Sequence, residues 1–246
     1  MSIFDQKVIK YEMKPLSSLE KVFPDETPVY RMECQMLSGL WGETVSFQVA
    51  YTGDFVMRER LDVRVVSELA EHVHVRTVEM VPVGRATNGI VDDNYLKTTS
   101  GLYPDLLKDL KDGKVIVYSR QWRSLWVDVD ITNEIPAGEY EIELQLIKEG
   151  EVVCSAKQKV TVIGTELPKL DIMHTEWMHA DCLADYYHVE VFSEEHWKLL
   201  ENYFQEYVKR DCNMMLTPLF TSPLDTAIGL ERTTCQLIDV EVKDGE

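Results

Sequence analysis

From residue 28 to residue 162 the chain alternates apolar and polar residues with a period of two, in short runs separated by turn signals. This is the pattern of half-buried antiparallel strands. Across residues 43–51, Val45, Phe47, Val49 and Tyr51 share one face while Ser46 and Gln48 take the other. Across 126–131, Val127, Val129 and Ile131 alternate with Asp128 and Asp130. In residues 140–146, Tyr140, Ile142, Leu144 and Leu146 alternate with Glu141, Glu143 and Gln145, launched by the turn Pro136-Ala137-Gly138. Glu149-Gly150 then reverses the chain into a further run over 152–162. Each strand carries one apolar face, and two packed sheets bury all of them. Residues 1–165 therefore read as an immunoglobulin-like antiparallel β-sandwich. One insertion, residues 88–113, has loop chemistry (Asp92-Asp93-Asn94, Ser100-Gly101, Pro104) and a short helical pattern over 105–111. It reads either as a functional loop or as a cross-connection packed by Tyr95, Leu102 and Tyr103.

After a linker at 164–168 the period changes. Residues 170–173 form a short apolar run expected to be a strand. Residues 193–210 carry a helix, with Ser193 as cap, Glu194 and Glu195 on the positive end of the dipole, and Phe192 stapled to Trp197. Trp197, Leu200, Phe204 and Tyr207 fall on one stripe. Met214 to Leu216 is a second short strand, ended by Pro218. Strand, helix and strand of these lengths make a βαβ unit with parallel strands. Residues 217–232 form a Pro-punctuated loop, residues 233–242 alternate again, and Asp244-Gly245 is a hairpin-turn signal. Only about 78 residues follow Pro168, against roughly 250 for a closed eightfold barrel. The expected fold class is mainly β and multidomain, with the sandwich followed by an incomplete (β/α) barrel segment over 169–246. The chain is expected to be the amino-terminal part of a longer protein.

The formal net charge of -18 argues against nucleic acid or an anionic membrane as partner, since both need clustered Lys and Arg. No basic start followed by an apolar core marks a leader, and no apolar run is long enough to span a bilayer, so a cytoplasmic location is expected. Five widely spaced cysteines (Cys34, Cys154, Cys182, Cys212 and Cys235) without a C-x-x-C pair fit reduced thiols.

Residues 167–240, with the HTEWMHAD, LADYY and SEEHW runs and LTPLFTSPLDT followed by ERTTCQL, resemble the start of the catalytic barrel of glycoside hydrolase family 123. Upstream, GETVSFQVAY, GLYPDLL, SLWVDVDI and PAGEY resemble the β-sandwich that precedes that barrel. The resemblance implies a retaining β-N-acetylgalactosaminidase-like hydrolase in which the substrate's 2-acetamido group attacks the anomeric carbon. An adjacent Asp-Glu pair later in the barrel would orient that group and protonate the leaving oxygen, an exception to the two-carboxylate scheme. No Asp-Glu dipeptide follows the second barrel strand, and Asp25-Glu26 lies in the sandwich. No catalytic residue is therefore assigned, and this chain alone is expected to be inactive. The alternative is a non-catalytic carbohydrate-binding or structural β-sandwich protein.

Ligands of parallel α/β folds bind at the carboxyl ends of the strands, where residues 174–185 and 217–232 are expected to emerge. The substrate-binding candidates are His174, Glu176, Trp177, His179, Asp181 and Asp225. Trp177 reads as a sugar platform or as a packed tryptophan. Glu176, Asp181 and Asp225 read as acceptors for sugar hydroxyls, or as loop caps and ion-pair partners, for instance of Arg232. His174, Glu176 and His179 spell H-x-E-x-x-H, but the helical zinc motif needs histidines four apart on one helix face. On a strand His174 and Glu176 share a face, and His179 joins them only if the loop folds back. Neither a metal nor another cofactor is expected. The expected partners are an amino-sugar glycoside and, at the open barrel edge, a second copy or a partner chain.

Overall fold

The computed structural model describes residues 10–28, 36–55, 57–85, 95–169, 171–216 and 243. The chain divides into two compact units, Met1–Pro168 and Lys169–Glu246. Among the described residues of the first unit, ten strands form two five-stranded sheets. They are β1 (Lys10–Ser17), β2 (Met36–Trp41), β3 (Thr44–Asp54), β4 (Glu59–Val66), β5 (Val73–Val83), β6 (Gly101–Asp109), β7 (Lys114–Val117), β8 (Arg123–Asp130), β9 (Gly138–Lys148) and β10 (Glu151–Glu166). One sheet has the order β1-β3-β8-β5-β6 and the other β2-β10-β9-β4-β7. Every strand pairing within them is antiparallel except β2 with β10.

The expected alternation produces the core between the sheets. Phe47, Val49, Leu125, Val127 and Val129 come from one sheet, and Ile142, Leu144, Leu146, Val160 and Val162 from the other; all are buried in one cluster. The opposite face of β3 is not simply solvated. Gln48 is 3% exposed because the segment after β1 lies over it. Its amide donates to the carbonyls of Ser17 (3.3 Å), Ser18 (3.1 Å) and Glu20 (2.7 Å), and its oxygen accepts from the Ser124 hydroxyl at 2.8 Å. A buried amide with those partners costs little to desolvate. Leu16, Val22, Ala50 and Trp122 form a second small core on that side.

Two sequence expectations are corrected in this unit. Residues 105–111 are not helical: Gly101–Asp109 is strand β6, paired antiparallel with β5. Leu106, Leu107 and Leu110 have helical spacing, but the backbone groups of 101–109 find partners along β5. Pro104 fits there because β6 is an edge strand, whose outward side needs no donor. The linker expected at 164–168 is also shorter, because β10 runs to Glu166, opposite Trp41, and the Leu167 amide donates to the Trp41 carbonyl at 2.8 Å. Gly164 reads as linker chemistry but sits in the strand because of close approach: a Cβ there would lie 2.9 Å from the Ala137 Cβ.

The second unit contains β11 (Thr175–Trp177), α1 (Ala180–Tyr187), α2 (Glu194–Lys209) and β12 (Met214–Leu216). β11 and β12 pair in parallel, as the βαβ reading requires. The first strand lies later than residues 170–173, with Ile172 and Met173 largely exposed. Instead of joining a ladder, Ile172 has its carbonyl bonded by the Asn213 side-chain amide at 2.8 Å. Helix α2 begins as its cap predicts: the Ser193 hydroxyl accepts from the His196 amide at 3.2 Å, and Phe192 stacks on Trp197 with ring centroids 5.6 Å apart. Met178, Ala180 and Leu200 form the small core, with Leu183, Val191, Phe204, Tyr207 and Met215 packed against it. His196 is fully buried and satisfied. Its Nδ1 accepts from the Phe192 amide at 2.9 Å, leaving Nε2 to donate to the Ala180 carbonyl at 2.8 Å. No helix among the described residues is long and apolar enough to cross a membrane.

Candidate functional site

The described candidate residues lie along one short path through β11 into α1, and its geometry separates them. Successive strand residues point to opposite faces, so Glu176 and Trp177 cannot serve one surface. Trp177 is the last residue of β11, opposite Leu216 in the register, and is 68% exposed. The next amide, that of Met178, donates to the Leu216 carbonyl at 2.9 Å and holds the carboxyl ends of the two strands together. An accessible indole at the carboxyl end of a parallel strand can lie flat against the C–H face of a pyranose.

His179 caps the amino end of α1, and its Nδ1 is buried without a hydrogen-bond partner. Asp181 is 3% exposed in the first turn of that helix, where a carboxylate complements the helix dipole. Helix α1 was not foreseen: residues 180–187 lie within the polar stretch read as loop. Its C-cap, His188, takes a left-handed conformation at φ 55° and donates to the Ala184 and Asp185 carbonyls. Asp225 lies outside the described residues, as do Cys34, Cys235 and the 217–232 loop.

His174 and Glu176 do share a face, but His174 precedes the amino end of β11 rather than leaving its carboxyl end. Its Nε2 lies 3.4 Å from Glu176 Oε1. The residue that joins them is Cys212, two residues before the amino end of β12, and not His179. The Cys212 sulfur is 3.7 Å from His174 Nδ1 and 3.8 Å from Nε2. Asn213 fixes this arrangement: its Oδ1 accepts from the His174 amide at 3.0 Å, and the amides of Asn213 and Met214 both donate to the His174 carbonyl. Cys212 is anchored from the other side by its amide, which donates to the Tyr207 carbonyl at the end of α2. Local desolvation, followed by the Glu176 and Asp211 carboxylates, holds its thiol above the usual range. A raised thiol is protonated at neutral pH and is not an activated nucleophile.

Residues 177–246 match the family model described as Glycoside hydrolase 123, catalytic domain. A family 123 glycoside hydrolase from Clostridium perfringens, whose structure details glycolipid glycan hydrolysis, superposes with a TM-score of 0.61 at 13% identity. The alignment covers 84% of this chain and 37% of that protein, so this chain spans little more than a third of its length. A β-glucosidase from Listeria innocua in complex with glucose gives a TM-score of 0.28 at 11% identity, over 65% of this chain and 17% of that one. No curated protein matches the chain by sequence.

Proposed function

From a glycoside hydrolase family 123-like chain, we propose the amino-terminal part of an enzyme that cleaves N-acetylhexosaminides. In the complete protein the reaction is β-N-acetylgalactosaminidase-like, with the substrate's 2-acetamido group as nucleophile and net retention at the anomeric carbon. The observation that carries this reading is the match to the family's catalytic domain, which begins at Trp177, an exposed indole at the carboxyl end of β11. The sandwich serves as scaffold, and the segments leaving β11 and β12 form one wall of the sugar site, with Trp177 as its platform. Asp225, on the segment after β12, would accept a hydroxyl hydrogen bond. The acid and the acetamido-orienting carboxylate are assigned to further βα units and not to any residue of this chain.

Along α2 an apolar groove of about 520 Å³, lined by Trp197, Leu200, Phe204 and Val208, suits the flank of the next βα unit. That unit would come from a longer chain, a second copy or a partner. The first test is hydrolysis of a chromogenic β-N-acetylgalactosaminide by the complete protein, with the further βα units present, and by its Trp177→Ala variant, with calorimetric binding of N-acetylgalactosamine in parallel. Turnover weakened by the substitution, with sugar affinity down roughly tenfold, which is about 1.4 kcal/mol, supports the reading. Binding without turnover favours the non-catalytic carbohydrate-binding alternative. Neither binding nor turnover overturns both.

A further inference from the structure

We propose that His174, Glu176 and Cys212 form a zinc site that ties the amino ends of β11 and β12 together. The inference stands apart from the carbohydrate reading, because it concerns the end of the strands opposite to the one where α/β folds bind their ligands. The three ligand atoms all lie within 4.8 Å of one another. Zinc bonds of about 2.0–2.1 Å to nitrogen or oxygen and about 2.3 Å to sulfur set tetrahedral ligand-to-ligand edges of roughly 3.3–3.6 Å. His174 Nε2 to Glu176 Oε1 is 3.4 Å, and His174 Nε2 to Cys212 Sγ is 3.8 Å, so two edges are near those lengths before any ion binds.

The donor set matches the metal. One imidazole nitrogen, one carboxylate oxygen and one thiolate sulfur are the three ligand types zinc accepts, whereas magnesium and calcium take oxygen alone. Two negative ligands balance the dication, and the thiol proton leaves to solvent on binding. Among the described residues no Lys or Arg makes an ion pair with Glu176; its partner is His174. The backbone is set for the purpose as well: Asn213 bonds both the His174 amide and the Ile172 carbonyl, so the two ligand-bearing segments are held in register. Three protein ligands leave a fourth position for water.

The test loads the untagged full chain with zinc, removes the excess by dialysis and counts the metal, then repeats the loading with cobalt(II) to read the thiolate-to-metal charge-transfer band. One equivalent of zinc is expected. The cobalt band should vanish in Cys212→Ser and persist in Cys182→Ser, which changes an exposed cysteine on α1. Glu176→Gln, which preserves shape, should weaken zinc binding at least tenfold. Retained zinc well below one equivalent, a band insensitive to Cys212→Ser, or a band abolished by Cys182→Ser would each overturn the assignment. A melting temperature raised by zinc in the wild type and unmoved in Cys212→Ser would separate loss of the site from loss of folding.

Discussion

The two units bury their apolar residues in different ways. In the sandwich, residues far apart in sequence interdigitate between two sheets, and even the outer face of β3 is covered, with Gln48 satisfied by three carbonyls. Among the described residues of the second unit the buried apolar ones are Met178, Ala180, Ala184 and Leu200. Trp177, Tyr186 and Val208 are largely exposed, and Trp197 partly. The sandwich therefore has the anatomy of a domain able to fold alone. The described part of the second unit has that of an element completed by further structure. Apolar area removed from water stabilises by roughly 25 cal/mol per Å², so among the described residues the larger share of this stabilisation lies in the sandwich.

The strongest challenge to this contrast is Phe47→Ala. Phe47 is 1% exposed at the centre of the sandwich, and its truncation should cost about 3–5 kcal/mol, read by urea unfolding with intrinsic fluorescence. If the units unfold separately, that loss moves one transition and leaves the other in place; movement of both together would show one cooperative unit. A smaller effect comes from Ser193→Ala, which removes the cap of α2 and should destabilise by about 1 kcal/mol. It should act only on the second transition, followed by helical circular dichroism.

The smallest concerns Glu59, which accepts from Lys148 Nζ at 2.8 Å and from the Tyr11 hydroxyl. Burial pushes its carboxyl up, but the Lys148 and Tyr11 hydrogen bonds and the Lys148 charge outweigh it and hold the group below its ordinary value. A depressed folded-state value means that the pair stabilises above the unfolded carboxylate range and loses that contribution as pH falls through the folded value. Lys148→Met should cost about 0.5–1 kcal/mol at neutral pH, as expected for a partly exposed pair. The gap to wild type should narrow on acidification; a gap that widens would refute the coupling.

Legibility in the sequence followed the range of the interactions. Helix α2 was readable because its signals are local: Ser193, the Phe192–Trp197 contact and the apolar stripe lie within a few turns. The cores of β3, β8 and β9 were readable because period-two alternation survives any arrangement of the sheets. Strand β6 was not, since its leucines have helical spacing and only its pairing with β5 decides the matter. The burial of Gln48 was hidden for the same reason, because it depends on a segment some thirty residues earlier in the chain. At the candidate site, Trp177 was read on the segment leaving a strand at 170–173, whereas it is the last residue of β11. In the H-x-E-x-x-H run His179 was expected to join His174 and Glu176 only if the loop folded back, and helix α1 takes that residue as its cap. Cys212 lies 38 residues from His174 and meets it only because β11 pairs with β12.

Strand β10 has a mechanical consequence. It is 16 residues long, lies between β2 and β9, and is followed within a few residues by the second unit. Tension arriving along the backbone from Lys169 reaches the sandwich at the end of this inner strand. Pulled along its own length, β10 loads the hydrogen bonds on both flanks in shear, many at once, instead of unzipping them singly from an edge. Force-extension of the chain should therefore show the sandwich yielding last.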